Sequence, residues 1–503
     1  MIAEIDKYAL DALGIPTRTL MERAGKAVAN AVRDAVPPGA RVAVFAGKGN
    51  NGGDGYAAAL FLSDDYSVTV YDVFSAGQRS DEGRYFLDAY TAAVGKPVPL
   101  TLDGEQLENI NSSDCIVDAV FGTGFFGEMP EIARKLAFNF ASLSNAKKVA
   151  VDVPLGLDSA LGRVLRDAAY RADITVALGF IKTGLVSYPA KEYVGKLVYD
   201  NIGLHNEGIL SHFDFNSYLI DKKLARDLLP ERPDNSNKGS FGKLLVITGS
   251  ESFRGAAYLS LEAALRSGVG YVTYAGDAAL CDALLPKLPE AIYKPVSLAD
   301  DPSAIPTLLE LSRRADTILL GSGSSKTDRL LKLTEGLIST FGAPLVLDAD
   351  AINVISHDPE RAKALIRNSL RQVILTPHPL ELSRLSGLSV DFIQNNRIEV
   401  AMQFARQNKC ILVLKGAATL VTDGKELFIN SSGSSALAKA GSGDVLAGHL
   451  SALVASGIDP LRASALAVYL HGAAADSLSA ELSDFGVIPS DLPKEIARQI
   501  NKL

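Results

Sequence analysis

Short runs of almost uninterrupted apolar residues recur along this chain, each separated from the next by enough residues for a helix. Arg41-Val-Ala-Val-Phe-Ala46 is the first, and runs at 114–120, 148–153 and 174–178 follow, with a further strand expected at 67–73. A strand with one wet face alternates apolar and polar residues, whereas a run apolar throughout belongs to a strand covered on both faces. The pattern therefore predicts an α/β protein with mostly parallel sheets and helices on each side. Between the runs, Leu20, Ala24, Ala27, Val28 and Ala31 recur at helical spacing. They predict an amphipathic helix over 19–35, stopped by Pro37-Pro38-Gly39.

The periodicity fades over 204–218, where polar residues cluster, and a second series begins after 228–242. Strands are predicted at 243–248, 269–274, 317–320, 344–347, 373–376 and 410–414, with helices at 256–267 and 445–455. At 503 residues the chain is too long for one hydrophobic core. Two three-layer α/β/α domains are expected, over 1–215 and 221–503.

Composition narrows the function classes. The 47% hydrophobic and 21% charged fractions suit an ordinary globular chain. A net charge of −8 offers no electrostatic case for nucleic acid or an anionic membrane. Cys115, Cys281 and Cys410 have neither metal-ligand nor disulfide spacing and read as small core residues. The N-terminus lacks a basic segment followed by an apolar run, and no stretch reaches the roughly 20 apolar residues of a bilayer span. The expected compartment is the reducing cytoplasm.

Two glycine-rich segments carry the chemistry. Gly49-Asn50-Asn51-Gly52-Gly53-Asp54-Gly55 follows the first strand, with a helix expected from Tyr56. Gly441-Ser442-Gly443-Asp444 lies in the second half, with a helix expected from Val445. Consecutive glycines before a helix leave main-chain N–H groups free to converge on an anion. Asp54, Asp118 (ending Cys115-Ile-Val-Asp118) and Asp152 (ending Val149-Ala-Val-Asp152) are expected at or just beyond strand ends. In a doubly wound sheet those ends border one crevice. The second motif lacks the lysine of a phosphate-binding P-loop. Asp444 beside an anion hole is suited to take a proton from an attacking hydroxyl. Asp348-Ala-Asp350, Thr376-Pro-His378 and Leu414-Lys-Gly-Ala-Ala-Thr419 form further polar clusters at strand ends. His449 and His471 are expected on helices in packing or surface roles.

The segments GKGNNGGDGYAAA (47–59), VDAVFGTGFFGE (117–128) and VDVPLGLDS (151–159), with Leu20-Met-Glu-Arg-Ala-Gly25, resemble the NAD(P)H-hydrate epimerase family. That resemblance covers about the first 215 residues. It implies a Rossmann-like domain that interconverts the R and S hydrates of NADH and NADPH. By the same resemblance Asn50, Asn51, Gly52, Gly53 and Asp54, together with Gly122, Thr123, Gly124, Phe125, Phe126, Gly127 and Glu128, hold the substrate. Asp152 also contacts it and transfers a proton at the hydrated carbon. Asn51, Asp118 and position 155 are implied to bind K+. Leu155 stands where the family has serine, so it has a main-chain carbonyl but no hydroxyl to offer.

The segments at 236–250, 254–273, 348–353, 376–379, 415–419, 437–448 and 468–476 resemble the ribokinase-like superfamily, and within it the ADP- or ATP-dependent NAD(P)H-hydrate dehydratases. The implied reaction phosphorylates the hydrate's hydroxyl and then expels phosphate, with Mg2+ on the nucleotide. Asp444 is the implied base. Ala256, Gly323, His378 and Asp444 line the hydrate pocket, and Lys415, Gly416, Ala417, Ala418, Thr419 and Gly443 contact the nucleotide. Two departures stand out: Gly321-Ser-Gly-Ser-Ser325 replaces GPGLG, and Leu380 replaces the glycine of TPHPGE. The expected partners are small molecules (NADHX, NADPHX and ADP) and further copies of the chain. The competing reading is a small-molecule kinase for a vitamin precursor with a regulatory N-terminal domain.

Overall fold

The computed structural model describes residues 2–74, 79–125, 127–142, 145–165 and 169–503, the side chains of Ala3, Ala141 and Ser142 excepted. The chain forms two compact units, Met1–Phe215 and Asn216–Leu503.

In the first unit the strands are β1 (Arg41–Ala46), β2 (Ser67–Asp72), β3 (Val98–Pro99), β4 (Cys115–Ala119), β5 (Lys147–Val151), β6 (Ile174–Leu178) and β7 (Lys196–Asp200). They form one sheet in the order β3-β2-β1-β4-β5-β6-β7, and every pairing is parallel. The order reverses between β1 and β4, which opens a crevice at their C-terminal ends. Successive side chains of β1 serve opposite faces: Val42, Val44 and Ala46 pack with the helices Thr17–Ala35 and Asn50–Leu62, whereas Ala43 and Phe45 pack with Glu131–Ser142. Both faces are therefore apolar, as the sequence pattern requires.

The second unit contains β8 (Ser217–Ile220), β9 (Lys243–Ile247), β10 (Tyr271–Gly276), β11 (Ile292–Pro295), β12 (Thr317–Leu320), β13 (Leu345–Leu347), β14 (Val373–Leu375), β15 (Ile411–Leu414), β16 (Leu420–Thr422) and β17 (Leu427–Asn430). Their order is β11-β10-β9-β12-β13-β14-β15-β16-β17-β8. From β11 to β15 the sheet is parallel, and β16 pairs antiparallel with both neighbours. Asp423-Gly424 makes that hairpin turn: Asp423 Oδ1 accepts from the N–H groups of Lys425 and Glu426, and Gly424 sits at φ +85°. One face of the sheet is covered by the helices Arg254–Arg266, Ser442–Ala455, Pro460–Gly486 and Leu492–Lys502.

Three sequence expectations need correction. The second series starts at β8, inside the stretch read as a break, where β8 pairs with the distant β17. The helix expected from Tyr56 begins at Asn50, so the glycine segment is the first turns of a helix rather than a loop. Glycine disfavours helix by about 1 kcal/mol per residue, but contacts override that here. A Cβ on Gly52 would stand 1.9 Å from the Gly47 carbonyl oxygen, and one on Gly55 would stand 2.6 Å from Ala119 Cβ. Likewise the helix expected from Val445 begins at Ser442.

Candidate active sites

At the β1/β4 crevice lies a cavity of about 420 Å³. Its lining includes Lys48, Gly49, Asn50, Asn51 and Asp54 after β1, 120–125 after β4, Asp152 after β5, and 178–180 with Lys182 after β6. The structure thus gathers Asn50, Asn51, Asp54, Gly122, Thr123, Gly124, Phe125 and Asp152 around one space. Asp54 reaches it from the helix, not from a strand end. Gly52, Gly53, Gly127 and Glu128 are not among the lining residues, and Phe126 lies outside the described residues. Phe121 and Phe125 stack with ring centroids 4.0 Å apart, giving the cavity an aromatic wall.

Asp152 is held with unusual firmness. It takes φ +64°, a left-handed conformation that costs a non-glycine residue of order 1 kcal/mol or more. Its Oδ1 accepts from Leu178 N–H at 3.2 Å and forms a buried ion pair with Lys182. Lys182 Nζ also donates to the Leu178 carbonyl at 2.7 Å. Burial pushes the Asp54 carboxyl well above its usual range, and the charges of Asp152 and Asp6 push it further. The site therefore sets a carboxylate paired with a lysine beside a carboxyl that burial pushes toward its protonated form.

Asp118 is fully buried, and its two oxygens accept the N–H groups of Val120 at 3.2 Å and Leu155 at 2.6 Å. Burial raises it to about 7, against the lowering effect of those two bonds. Gly122 lies against Asn51: a Cβ there would be 3.3 Å from Asn51 Oδ1. Asn51 is 7% exposed and its Nδ2 has no protein partner. The Leu155 side chain is fully buried in the core under β1 and β4, and its carbonyl accepts from Tyr170 N–H at 2.7 Å.

In the second unit, the segments after β9, β12, β13, β14 and β15 align along one sheet edge. Asp348, 1% exposed, organises it. Its Oδ1 accepts from Thr376 Oγ1 at 2.7 Å and Lys415 Nζ at 2.9 Å, and its Oδ2 from Ser322 Oγ at 2.8 Å. Ala349 turns the chain at φ +49°, and Asp350 Oδ2 then accepts Ser325 N–H at 2.9 Å. Glu381, buried, lies 3.9 Å from Lys415 Nζ, while its carboxylate caps His378 N–H at 2.9 Å. Burial draws the Lys415 ammonium down, but Asp348 and Glu381 more than offset this and leave it above its ordinary value. His378 is lowered by burial and by Lys415.

The glycine–aspartate turn meets this network. Gly441 takes φ +103° directly before the helix Ser442–Ala455, and a Cβ on Gly443 would lie 3.5 Å from Lys415 Nζ. The Lys415 ammonium therefore lies beside the first turn of this helix, an arrangement that favours an anion. Asp444, partly buried, is raised to about 7 by burial and by Asp348, with Lys415 opposing. Gly323 packs on Ala256, since a Cβ there would stand 2.7 Å from the alanine's. Thus Lys415, Asp348, Glu381, His378, Gly443 and Asp444 converge, and Ala256 and Gly323 sit together. Ala418 takes φ +51°, and Thr419 Oγ1 donates to the Gly416 carbonyl at 2.9 Å, closing the 415–419 turn. His449 and His471 are buried on helices.

Sequence reasoning missed Lys182 and the framing role of Asp348 and Glu381. A lysine four residues beyond an apolar strand, inside Gly179-Phe-Ile-Lys-Thr-Gly184, was the available signal for the first. No helix among the described residues is long and apolar enough to cross a membrane, and all three cysteines are buried and unpaired.

A family described as NAD(P)H-hydrate dehydratase matches residues 244–498, and one described as YjeF-related protein N-terminus matches residues 17–184. The chain is 32% identical over 507 residues to a bifunctional NAD(P)H-hydrate repair enzyme Nnr of Moorella thermoacetica, across 98% of this chain and 94% of that protein. The enzyme of the same name in Escherichia coli is 31% identical over 501 residues, across 99% of this chain and 92% of that one. Among solved structures, a ribokinase-like superfamily protein from Enterococcus faecalis aligns with a TM-score of 0.50 and 25% identity, over 58% of this chain and 97% of that one.

Proposed function

The chain belongs to the bifunctional NAD(P)H-hydrate repair family, and on that footing we propose how its two sites divide the work. The first unit epimerises the R and S hydrates of NADH and NADPH. The second dehydrates the S form at the expense of ADP, giving AMP and phosphate. The observation that carries the reading is the meeting of Asp444, the Gly441–Gly443 turn and the Lys415 ammonium at one sheet edge. ADP's terminal phosphate sits against the turn's amides and Lys415, with 416–419 along the rest of the nucleotide. Asp444 accepts the hydroxyl proton of a hydrate bounded by Ala256, Gly323 and His378. The hydroxyl oxygen attacks phosphorus, AMP leaves, and phosphate then departs as a ring proton is lost and the double bond returns. Amides fixed in advance stabilise the charge on the transferring group.

Magnesium, when bound, neutralises phosphate charge. No group of three or more His, Cys, Asp or Glu side chains among the described residues could hold a metal ion, so the nucleotide's phosphates would carry it. ATP is an alternative donor, since nothing in the turn distinguishes a second phosphate from a third. In the first unit, Asp152 is the proton-transfer group, held in place by its ion pair with Lys182. One buried carboxylate (Asp118), the Asn51 amide oxygen and the Leu155 carbonyl are an all-oxygen donor set, the kind that suits a hard cation such as K+. Held there, the ion would supply charge that keeps Asp118 ionised and the two loops together. Asn50, Asp54 and 122–125 enclose the substrate, and Gly52 and Gly53 shape the helix that presents them. A cytoplasmic, homo-oligomeric enzyme completes the proposal.

The test supplies a mixture of both hydrates, with and without ADP, and follows the returning absorbance of reduced nicotinamide. Full recovery with ADP, release of inorganic phosphate and none without nucleotide is the expected result. A stable phosphorylated alcohol in place of phosphate would establish a kinase instead.

A further inference from the structure

The cavity of the first unit is completed by a residue that lies before the family-matched segment. Asp6 belongs to the N-terminal helix Ile2–Asp11 and lines the cavity together with Asp54, Asp152 and Lys182. That helix is not a loose end. Ile5 and Ala9 are fully buried against Leu20, Leu204 and Ile209, and Tyr8 stacks on His212 at 4.2 Å between centroids. Ile2, Ile5 and Asp6 all reach the cavity, so the helix forms part of its wall.

Three carboxyls, Asp6, Asp54 and Asp152, share the cavity with one deeply placed ammonium, Lys182; Lys48 stands beside Gly49 before the helix Asn50–Leu62. Lys182 is committed to Asp152 and the Leu178 carbonyl. Like charges in a desolvated space cannot all ionise, and burial first, then the nearby Asp152 charge, raises Asp6 above its usual range despite Lys182. A second observation points to a ligand here: Asn51 Nδ2 is buried on the same wall without a partner. Of the two carboxyls raised above their usual range, Asp54 belongs to the glycine segment implied to hold substrate, whereas Asp6 has no assigned task.

We propose that Asp6 is the proton donor of the epimerisation, paired with Asp152 as the proton acceptor. The inference rests on the epimerase reading of this site. The hydrate's carbinol carbon adjoins the ring nitrogen. Proton transfer from Asp6 to the hydroxyl breaks the C–O bond and releases water, while the nitrogen lone pair forms a C=N+ bond. Water then adds to the opposite face of that carbon, the electrons return to nitrogen, and the attacking water gives its proton to Asp152. Each turnover leaves Asp6 charged and Asp152 protonated; proton exchange with solvent water restores both, so no net proton is consumed, and the reverse reaction exchanges the two roles. The N-terminal helix is thereby a working part of the site.

The experiment uses the full-length protein and compares D6N, D6E and D152N for epimerisation of pure R-hydrate, with dehydration of pure S-hydrate as the folding control. D6N is expected to lower epimerisation kcat about 100-fold, to erase the alkaline limb of its pH profile and to leave dehydration unchanged; D6E restores most of the rate. D152N is expected to be inactive as an epimerase. If D152N is inactive but D6N keeps the wild-type kcat and pH limb, the role of Asp6 is refuted and the site reading stands. If D6N and D6E lose rate equally with an unchanged profile, Asp6 is only a packing residue. If D152N remains fully active, the reading of the site itself falls.

Discussion

The two glycine–aspartate segments look alike in sequence but use glycine for opposite reasons. In the first unit the glycines lie inside the helix Asn50–Leu62, where neighbouring main-chain and side-chain atoms press against Gly52, Gly53 and Gly55. Gly52 abuts the Gly47 carbonyl, and Gly25 of the facing helix abuts Ala57, where an added Cβ would stand 2.5 Å from the alanine's. In the second unit Gly441 supplies a left-handed turn, and Gly443 leaves space beside Lys415 that an anion can fill. One set of glycines is structural closeness; the other is reserved volume. The acids divide in the same way. Asp152 is locked to a lysine, whereas Asp444 shares its surroundings with the Asp348 and Asp350 charges that raise it.

The strongest way to break the comparison is to remove each acid. Asp444→Asn is expected to slow dehydration by about 10³-fold with epimerisation intact, and Asp152→Asn to do the reverse. A single change that stops both reactions in a folded protein would end the division of labour.

Glycine replacements sharpen it. Gly52→Ala forces a Cβ to 1.9 Å from a carbonyl oxygen, and overpacking of this kind costs roughly 3 kcal/mol or more. Hydrogen exchange should quicken across β1 and the Asn50–Leu62 helix, with epimerisation lost. Gly443→Ala has room for its methyl, so thermal stability should hold while dehydration falls about tenfold through the lost phosphate space. Equal destabilisation by both changes would erase the distinction.

A third measurement reads the electrostatics. Asp444 titrates at about 7 and must be ionised to act as a base, so dehydration should rise as pH passes through that value. Lys415 lowers Asp444, so Lys415→Met should move the rising limb to higher pH as well as weaken ADP binding. A limb that stays in place would assign it to another group.

Legibility in the sequence followed the same physics. Strands covered on both faces announce themselves as apolar runs, and β1, β4, β12 and β15 lie within or close to the predicted runs. β8 was hidden because Ser-Tyr-Leu-Ile is short and its partner lies about 210 residues further on. The Asn50 helix start was hidden because glycine's weak helix propensity points to a loop when packing is unseen. Asp54, Asp118, Asp152 and Asp444 could be singled out from their motifs. Lys182 and Asp6 carry no such local mark, since their importance arises only from the cavity they share.

The smallest effect concerns Leu380, which stands where the family has glycine. It is the second residue of the helix Pro379–Ser386, next to His378, and is 45% exposed. Its side chain contributes little to the core, so Leu380→Gly should cost less than about 1 kcal/mol, the ordinary cost of glycine near a helix start. If the leucine narrows the approach to the His378 side of the hydrate pocket, the change should lower KM for the S-hydrate a few-fold at constant kcat, as removal of a modest steric contact does. Steady-state kinetics with both hydrates distinguish the cases. A fall in KM places Leu380 on the substrate's path, whereas unchanged kinetics place it outside and leave Gly323, Ala256 and His378 to define the pocket.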